Sequence, residues 1–444
     1  MSMALGVIGI ILALLALMYL AYRDWSPLYL GFVVTLIVIL TNGMPLTETI
    51  TDVYLPGVAS FAGPFFGMML FGAIIGKIYD VSGAATSIAR GLIGTFSPAD
   101  SGRSDNFKTA IVVLIACLTG ALLTYGGINN IVLMITMFPI TLSLCAETNI
   151  PRRWAIGMAV SGSSTFVVGG VFSPNATNVA AMNLMGTSSG AALIPGIIGA
   201  IVEIIVMMVV FTVLVARSRA RGEVFAYGPK DTVHEGEERL PNPWLAAIPL
   251  VFTFVVFNFF KVNITVVLAV TTVLSAVLFY PQLKKHGIIK TINDGALSAT
   301  SSLLMISAIV GFGSVVNSAE SFQFLVDKLL SISIHPYFLL IICVLVFAAI
   351  AGSSTTAVNL SLTTLGPIFT NMGYPAAAIH RIAAFAATVT DSLPCSGGTM
   401  LGCHVANERL RDAYPGIAVS TVLATGCGTL TVALICILFP GLAV

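Results

Sequence analysis

Gly352-Ser353-Ser354-Thr355-Thr356 breaks an apolar run over 337–370, and Asp391-Ser392-Leu393-Pro394-Cys395-Ser396-Gly397-Gly398 breaks the next one, over 376–402. Roughly 220 to 240 residues earlier the same order occurs. Thr124-Tyr125-Gly126-Gly127-Ile128-Asn129-Asn130 lies inside the run 109–145, and Phe172-Ser173-Pro174-Asn175-Ala176-Thr177-Asn178 lies inside 152–182. A proline follows the first break of each set, Pro139 and Pro367. Such breaks expose backbone N–H and C=O groups that hydrocarbon cannot satisfy, so at membrane depth they survive only beside protein or a watery cavity. Matched breaks in two halves point to a transporter binding site.

The composition agrees. Apolar residues make up 57% of the 444 residues and charged residues 9%, with a mean hydropathy of +1.00, whereas a soluble domain carries about 25% charged residues. The expectation is an all-α polytopic membrane protein in the lipid bilayer. A net charge of +1 argues against nucleic acid as a partner. The seven cysteines have no Cys-x-x-Cys spacing and read as small core residues. The run 3–22, with no Lys or Arg before it, reads as a retained membrane helix rather than a signal peptide. No histidine stands at metal-ligand spacing, no metal other than sodium is implied, and no cofactor is expected.

Apolar runs fall near 3–22, 27–43, 58–77, 152–182, 191–217, 243–260, 262–281, 300–317, 376–402 and 413–441. In 109–145 and 337–370 two arms flank each polar tip, each arm covering about 22 Å at 1.5 Å per residue, short of the roughly 30 Å hydrocarbon core. They read as re-entrant hairpins; two short helices joined by an exposed turn are the alternative. Residues 1–217 then form a first repeat (hairpin 109–145, broken helix 152–182) and 242–444 a second (hairpin 337–370, broken helix 376–402). Five spans and a hairpin in each make the repeats inverted in topology. Thr49-Ile50-Thr51-Asp52 and Thr291-Ile292-Asn293-Asp294 are matching landmarks, as are Ala73-Ile74-Ile75-Gly76 and Ala308-Ile309-Val310-Gly311. Short amphipathic stretches, 83–96 and 320–331, precede the hairpins and suit the interface. The polar segment 218–241 reads as a solvated cytoplasmic linker.

In this topology one side receives seventeen Lys and Arg residues and the other only Lys261, Lys328 and Arg381. The positive-inside rule makes the first side cytoplasmic and leaves both termini outside, in a bacterial-type inner membrane. All three tryptophans, Trp25, Trp154 and Trp244, fall at the cytoplasmic boundary.

A half-helix that starts at mid-membrane offers free N–H groups and the positive end of its dipole, which holds a carboxylate without Lys or Arg. Substrate contacts are expected from Gly126, Gly127, Asn129, Asn130, Pro174, Asn175, Thr177, Ser353, Ser354, Thr355, Ser392, Ser396 and Gly397. Asp391 is the foremost ion-coupling residue, as cation ligand or proton acceptor, with Thr356 beside it. Glu203, mid-span, either carries protons or hydrogen-bonds a neighbouring helix. The small residues also suit close helix crossings, and Ser161-Gly162-Ser163-Ser164 and Gly169-Gly170 fit either role. His380 and Arg381 read as anchors near the outer boundary, and His335, before Pro336, as structural.

At these residues the chain resembles the gluconate permease family (gluconate:proton symporters, including hydroxybutyrate-type permeases) of the ion transporter superfamily. Asp391-Ser392-Leu393-Pro394 resembles the family's Asp-Ser-Leu-Pro-His motif, and Gly352-Ser353-Ser354-Thr355 its Gly-Ser-Ala-Thr tip. The segment from Gly72 to Leu92 is also similar. Cys395 replaces the motif's His, Ser173-Pro174-Asn175-Ala176 replaces a Pro-Pro-His-Pro run, and Gly311-Phe312-Gly313-Ser314 differs from a Gly-rich counterpart. These differences bear on the substrate rather than the fold. The resemblance implies secondary uptake of a small organic anion, usually with a proton, by a transport domain that moves against a scaffold. Sodium-coupled relatives in the superfamily carry Ser-Asn-Thr at the tip, so sodium stays open.

The expected function is therefore a symporter for a small organic monocarboxylate such as a sugar acid or hydroxy acid, with homo-oligomerisation left open. A passive anion channel and an intramembrane serine protease using Ser163 or Ser354 with His380 are the rivals. The absence of a Gly-x-x-x-x-Gly-Lys-Ser/Thr loop removes ATP bound by these residues as the energy source.

Overall fold

In the computed structural model the described residues are 3–23, 25–96, 102, 104–128, 130–228, 240–322, 324, 328, 334–394 and 396–443. They are helical throughout, with no strand among them. The helices are α1 (Met3–Tyr22), α2 (Pro27–Asn42), α3 (Leu46–Ser82), α4 (Ala84–Phe96), α5 (Asp105–Tyr125) and α6 (Asn130–Glu147). Next come α7 (Ala155–Ala159), α8 (Phe166–Gly169), α9 (Ala176–Met185), α10 (Leu193–Ala220), α11 (Pro243–Asn258), α12 (Ile264–Leu278) and α13 (Tyr280–His286). The chain ends with α14 (Ile288–Ser318), α15 (Pro336–Ala351), α16 (Ser354–Asn371), α17 (Ala376–Thr390), α18 (Gly397–Ala406) and α19 (Leu410–Leu438). Of these α3, α5, α10, α14 and α19 are each long and apolar enough to cross a membrane.

Local chemistry sets the starts. Ser26, Ser104, Asn242 and Asn263 accept backbone N–H bonds as N-caps of α2, α5, α11 and α12, each filling one of the four orphan donors of a helix start. Pro27, Pro243 and Pro336 follow their caps, where a missing N–H costs nothing. His335 is structural, as read: its Nδ1 accepts the Tyr337 N–H at 3.2 Å. Single π turns at Thr49–Tyr54 and Val419–Ala424 leave α3 and α19 continuous. The former lies on the Thr49–Asp52 landmark.

Packing separates two groups. In one, α3 lies along α14, α14 along α2, α2 along α1, and α12 on α3. Glycines bring these backbones close: a Cβ on Gly31 would sit 2.5 Å from the Ala308 carbonyl oxygen, and one on Gly295 would sit 2.8 Å from Ile74 Cα. The Ala-Ile-rich landmarks are thus crossing points, where close van der Waals contact replaces the hydrophobic drive that lipid removes. In the other group α10 packs on α19, α15 on α16 and α17, and α9 on α16 and α17.

Several expectations change. The helical arms around the first tip are longer than the apolar count, because Ser104 caps a polar first turn; α5 has 21 residues and can cross alone. The run 152–182 is broken twice, at 163–165 and 170–175. Pro174 has no N–H to continue a helix, Phe172 adopts a left-handed φ of 62°, and its carbonyl accepts from Asn258. The run 262–281 bends by 83° between α12 and α13. Trp154 is buried within the protein, donating to Ser218 Oγ at 3.1 Å. His380 and Arg381 are fully buried, not boundary anchors. Broken helices supply carbonyl acceptors that make such burial tolerable. The stretch 83–96 is helical as α4; most of 320–331 lies outside the described residues. The described cysteines are free and, except for half-buried Cys427, buried.

Candidate functional site

A chamber of about 440 Å³ lies between the two packing groups. One wall is apolar, with Met68 and Met69 from α3, Leu268 from α12, and Met305 and Ile306 from α14. The facing wall is built from interrupted helices. Gly127, Ile128 and Asn130 come from the α5–α6 connection and Pro174, Asn175 and Ala176 from the start of α9. Gly352, Ser353, Ser354 and Thr355 come from the α15–α16 connection, with Asp391, Ser392, Gly398 and Thr399 from the break between α17 and α18. All four breaks read in the sequence therefore meet at one place.

Each break ends at a helix start. Asn175 Oδ1 accepts the Thr177 N–H at 3.1 Å, Ser353 Oγ the Thr356 N–H at 3.3 Å, and Ser396 Oγ the Thr399 N–H at 3.2 Å. One orphan donor per helix is filled, and the remaining first-turn N–H groups leave a positive end toward the chamber. Gly352 reverses the chain at φ 57°, a left-handed conformation that costs a residue bearing Cβ roughly 1–2 kcal/mol.

The breaks interlock, within the first half and across to the second. Asn175 Nδ2 donates to Asn130 Oδ1 at 3.3 Å, so the α9 break reaches the α6 start. Thr177, buried behind Asn175, lies within hydrogen-bond distance of Ser354 and Thr355. Asp391 Oδ1 accepts from Ser392 Oγ at 2.7 Å. Among the described lining residues Asp391 is the only ionisable one.

Not every expected residue reaches the chamber. Gly126 packs on Leu250, while Ser396 and Thr356 are buried and absent from the lining. Asn129 and Cys395 lie outside the described residues. Glu203 is fully buried on α10, away from the lining; neither carboxyl oxygen makes a hydrogen bond, and the Phe166 N–H and Gly428 are beside it. Thr124, Ser164, Ser302 and Thr421 line the chamber without having been singled out as contacts. Of these Ser302 and Thr421 carried no signal, Thr124 opens the first break read in the sequence, and Ser164 belongs to the Ser161–Ser164 cluster. That cluster has both roles: Ser164 faces the chamber, and Gly162 lets α5 approach at Gly120.

No catalytic dyad forms at the serines. Ser163 Oγ donates to the Val160 carbonyl, and the His380 ring is engaged by Thr187 and Asn178. No group of three or more His, Cys, Asp or Glu residues able to hold a metal occurs among the described residues.

A multi-pass helical bundle whose broken segments supply one polar wall of an otherwise apolar chamber defines a membrane transporter rather than an enzyme. The chain belongs to the GntP permease family: the model for GntP family permeases matches residues 1–280. It is similar to the uncharacterized transporter YxjC of Bacillus subtilis (strain 168), at 24% identity over 94% of this chain and 96% of that one. The high-affinity gluconate transporter of Escherichia coli (strain K12) is 28% identical over 46% of this chain and 43% of its own. The crystal structure of the Alcanivorax borkumensis YdaH transporter shares the fold, with a TM-score of 0.58 at 14% identity over 89% of this chain and 90% of that one.

Proposed function

We propose that this permease is a cation-coupled symporter that imports a small organic monocarboxylate, with a proton as the coupling ion. The observation that carries the reading is the pairing of four helix starts with one acidic side chain, Asp391, in a chamber with no described basic lining residue. Helix N-termini and Gly127, Asn130, Asn175, Ser353, Ser354, Thr355 and Ser392 bind the carboxylate; backbone dipoles meet its charge without a desolvated Lys or Arg.

Asp391 supplies the coupling. A second carboxylate about 6 Å from an ionised Asp391 meets a repulsion of roughly 3 kcal/mol at an effective dielectric of 20. That weakens binding by about two orders of magnitude. A proton or sodium ion on Asp391 removes the penalty, so cation and substrate raise each other's affinity equally. Coupled binding at a site alternately open to either side is what a symporter requires.

In this reading 1–217 and 242–444 are inverted repeats joined by 218–241, with both termini outside. The α15–α16 pair is a re-entrant hairpin, the α5–α6 pair is its counterpart with the longer α5 accommodated by tilt, and the group that carries the breaks moves against the α3–α14 scaffold. The chamber's position between the two packing groups supports that motion.

The test is uptake into proteoliposomes of C3–C6 mono- and dicarboxylates under imposed proton or sodium gradients. Concentrative monocarboxylate uptake driven by the proton gradient supports the reading. Drive by sodium alone replaces the ion, and equilibration without concentration under either gradient makes the protein a passive channel.

A further inference from the structure

Arg381 on α17 is fully buried, and no described carboxylate lies within ion-pair distance of it. Its donors go to neutral oxygens. Nε donates to the Ala191 carbonyl at 2.9 Å and Nη2 to the Ser189 carbonyl at 3.0 Å. Nη1 donates to the Gly169 carbonyl and to Asn178 Oδ1. The three carbonyls lie where helices are interrupted: Gly169 ends α8, and Ser189 and Ala191 precede α10. The Ser189 carbonyl also accepts the Phe172 N–H at 2.9 Å. A buried charge is tolerated only when its hydrogen bonds are complete, and a planar guanidinium fixes the spacing of its acceptors.

Asn178 carries this order to the chamber. Its Oδ1 also lies 2.9 Å from His380 Nε2, and its Nδ2 donates to the Ser173 carbonyl at 2.7 Å. Oδ1 is thus the acceptor, His380 Nε2 carries a hydrogen, and Nδ1 pairs with the Thr187 hydroxyl at 2.6 Å. Ser173 Oγ in turn accepts the Asn175 N–H at 3.2 Å. Asn175 lines the chamber.

We infer that Arg381, His380 and Asn178 form a clasp that positions the Ser173–Asn175 backbone and so sets affinity for the carboxylate without touching it. The inference rests on the transporter reading above. A misplacement of a functional group by about 1 Å costs enzymes up to roughly 100-fold. The clasp ends on Asn175, which lines the chamber, so its effect is read in affinity rather than in the rate of the moving body.

Asn178→Asp separates positioning from mere bracing. The carboxylate keeps an acceptor for Arg381 and His380, but it replaces the donor to Ser173 with an oxygen that repels that carbonyl. In proteoliposomes with radiolabelled gluconate and 3-hydroxybutyrate, KM is expected to rise about tenfold or more, with Vmax within about twofold. In detergent, amide hydrogen exchange should accelerate at 173–177 and stay slow across 376–390. A simple brace predicts wild-type values, because Arg381 keeps its partners; wild-type KM or wild-type exchange at 173–177 overturns the inference. Should Asn178→Asp not fold, Arg381→Lys takes its place, retaining the charge and losing the fork. It should raise KM and speed exchange at 173–177, and unchanged values again overturn the inference. If the wild type transports neither probe, the substrate reading fails, while the exchange comparison still decides the clasp.

Discussion

The Thr177 hydroxyl lies 2.9 Å from that of Thr355 and 3.1 Å from that of Ser354, joining the α9 break to the start of α16 in one buried cluster. These residues are 177 and 178 positions apart in sequence. The cluster is a direct link between the two halves behind the chamber wall, and it fixes the distance between two of the four helix starts.

Thr177→Val preserves shape and removes the hydroxyl. Two buried hydroxyls lose a partner, at a cost of about 1–3 kcal/mol. Because Ser354 and Thr355 face the chamber, part of that cost falls on binding. Initial-rate uptake should show apparent affinity reduced by about tenfold, and Thr177→Ser should restore most of it. Unaltered kinetics in Thr177→Val would detach the cluster from binding.

Asp391→Asn tests coupling. The amide removes the repulsion that makes an empty cation site exclude a carboxylate, so substrate binding should no longer depend on the driving cation. Counterflow of labelled against unlabelled substrate should persist, while accumulation under a proton or sodium gradient falls to equilibration. Normal gradient-driven accumulation at every pH and sodium level would remove Asp391 from the coupling step.

The sequence made the breaks legible because Pro, Gly, Asn and Asp inside apolar runs have few explanations in hydrocarbon. Asn175, Ser354 and Asp391 could be picked out one by one for that reason. What it hid was pairing in space. Arg381 looked like a boundary anchor because a charge in apolar sequence usually marks an edge. Its acceptors are main-chain carbonyls of Gly169, Ser189 and Ala191, and main chain carries no sequence label. The apolar wall of Met68, Met69 and Met305 was hidden for another reason. A methionine facing a chamber and one facing lipid read the same.

Gly157→Ala tests the crossing between the first broken helix and α19. A Cβ there would lie 2.2 Å from the Gly416 carbonyl carbon, and Ser420 Oγ already donates to the Gly157 carbonyl at 2.7 Å. The obstruction is backbone, so no rotamer change relieves it, and overpacking of this kind costs about 1–3 kcal/mol or more. The variant should melt several degrees lower in detergent and purify in smaller yield, whereas Gly398→Ala, where a Cβ meets open space, should melt like the wild type. Equal melting of the two variants would mean that α7 and α19 separate more readily than their contact implies.

Glu203→Gln decides between the two roles open to this buried acid. Glu203 stands on α10 with both oxygens lacking a hydrogen bond, and a Cβ on Gly428 would lie 2.4 Å from its Oε1. It therefore fills a gap against α19 rather than lining the chamber, and a membrane-buried carboxyl in such a place is tolerated most readily as the neutral acid. Glutamine has nearly the same shape and no charge. The expected outcome is an unchanged cation-to-substrate stoichiometry and an unchanged KM, with a melting temperature within a few degrees of the wild type. A drop in stoichiometry, measured by balancing the proton gradient against the substrate gradient at zero net flux, would make Glu203 a second proton carrier. It would also require the break at 163–165, beside the Phe166 N–H that Glu203 faces, to open a path from Ser164 in the chamber wall.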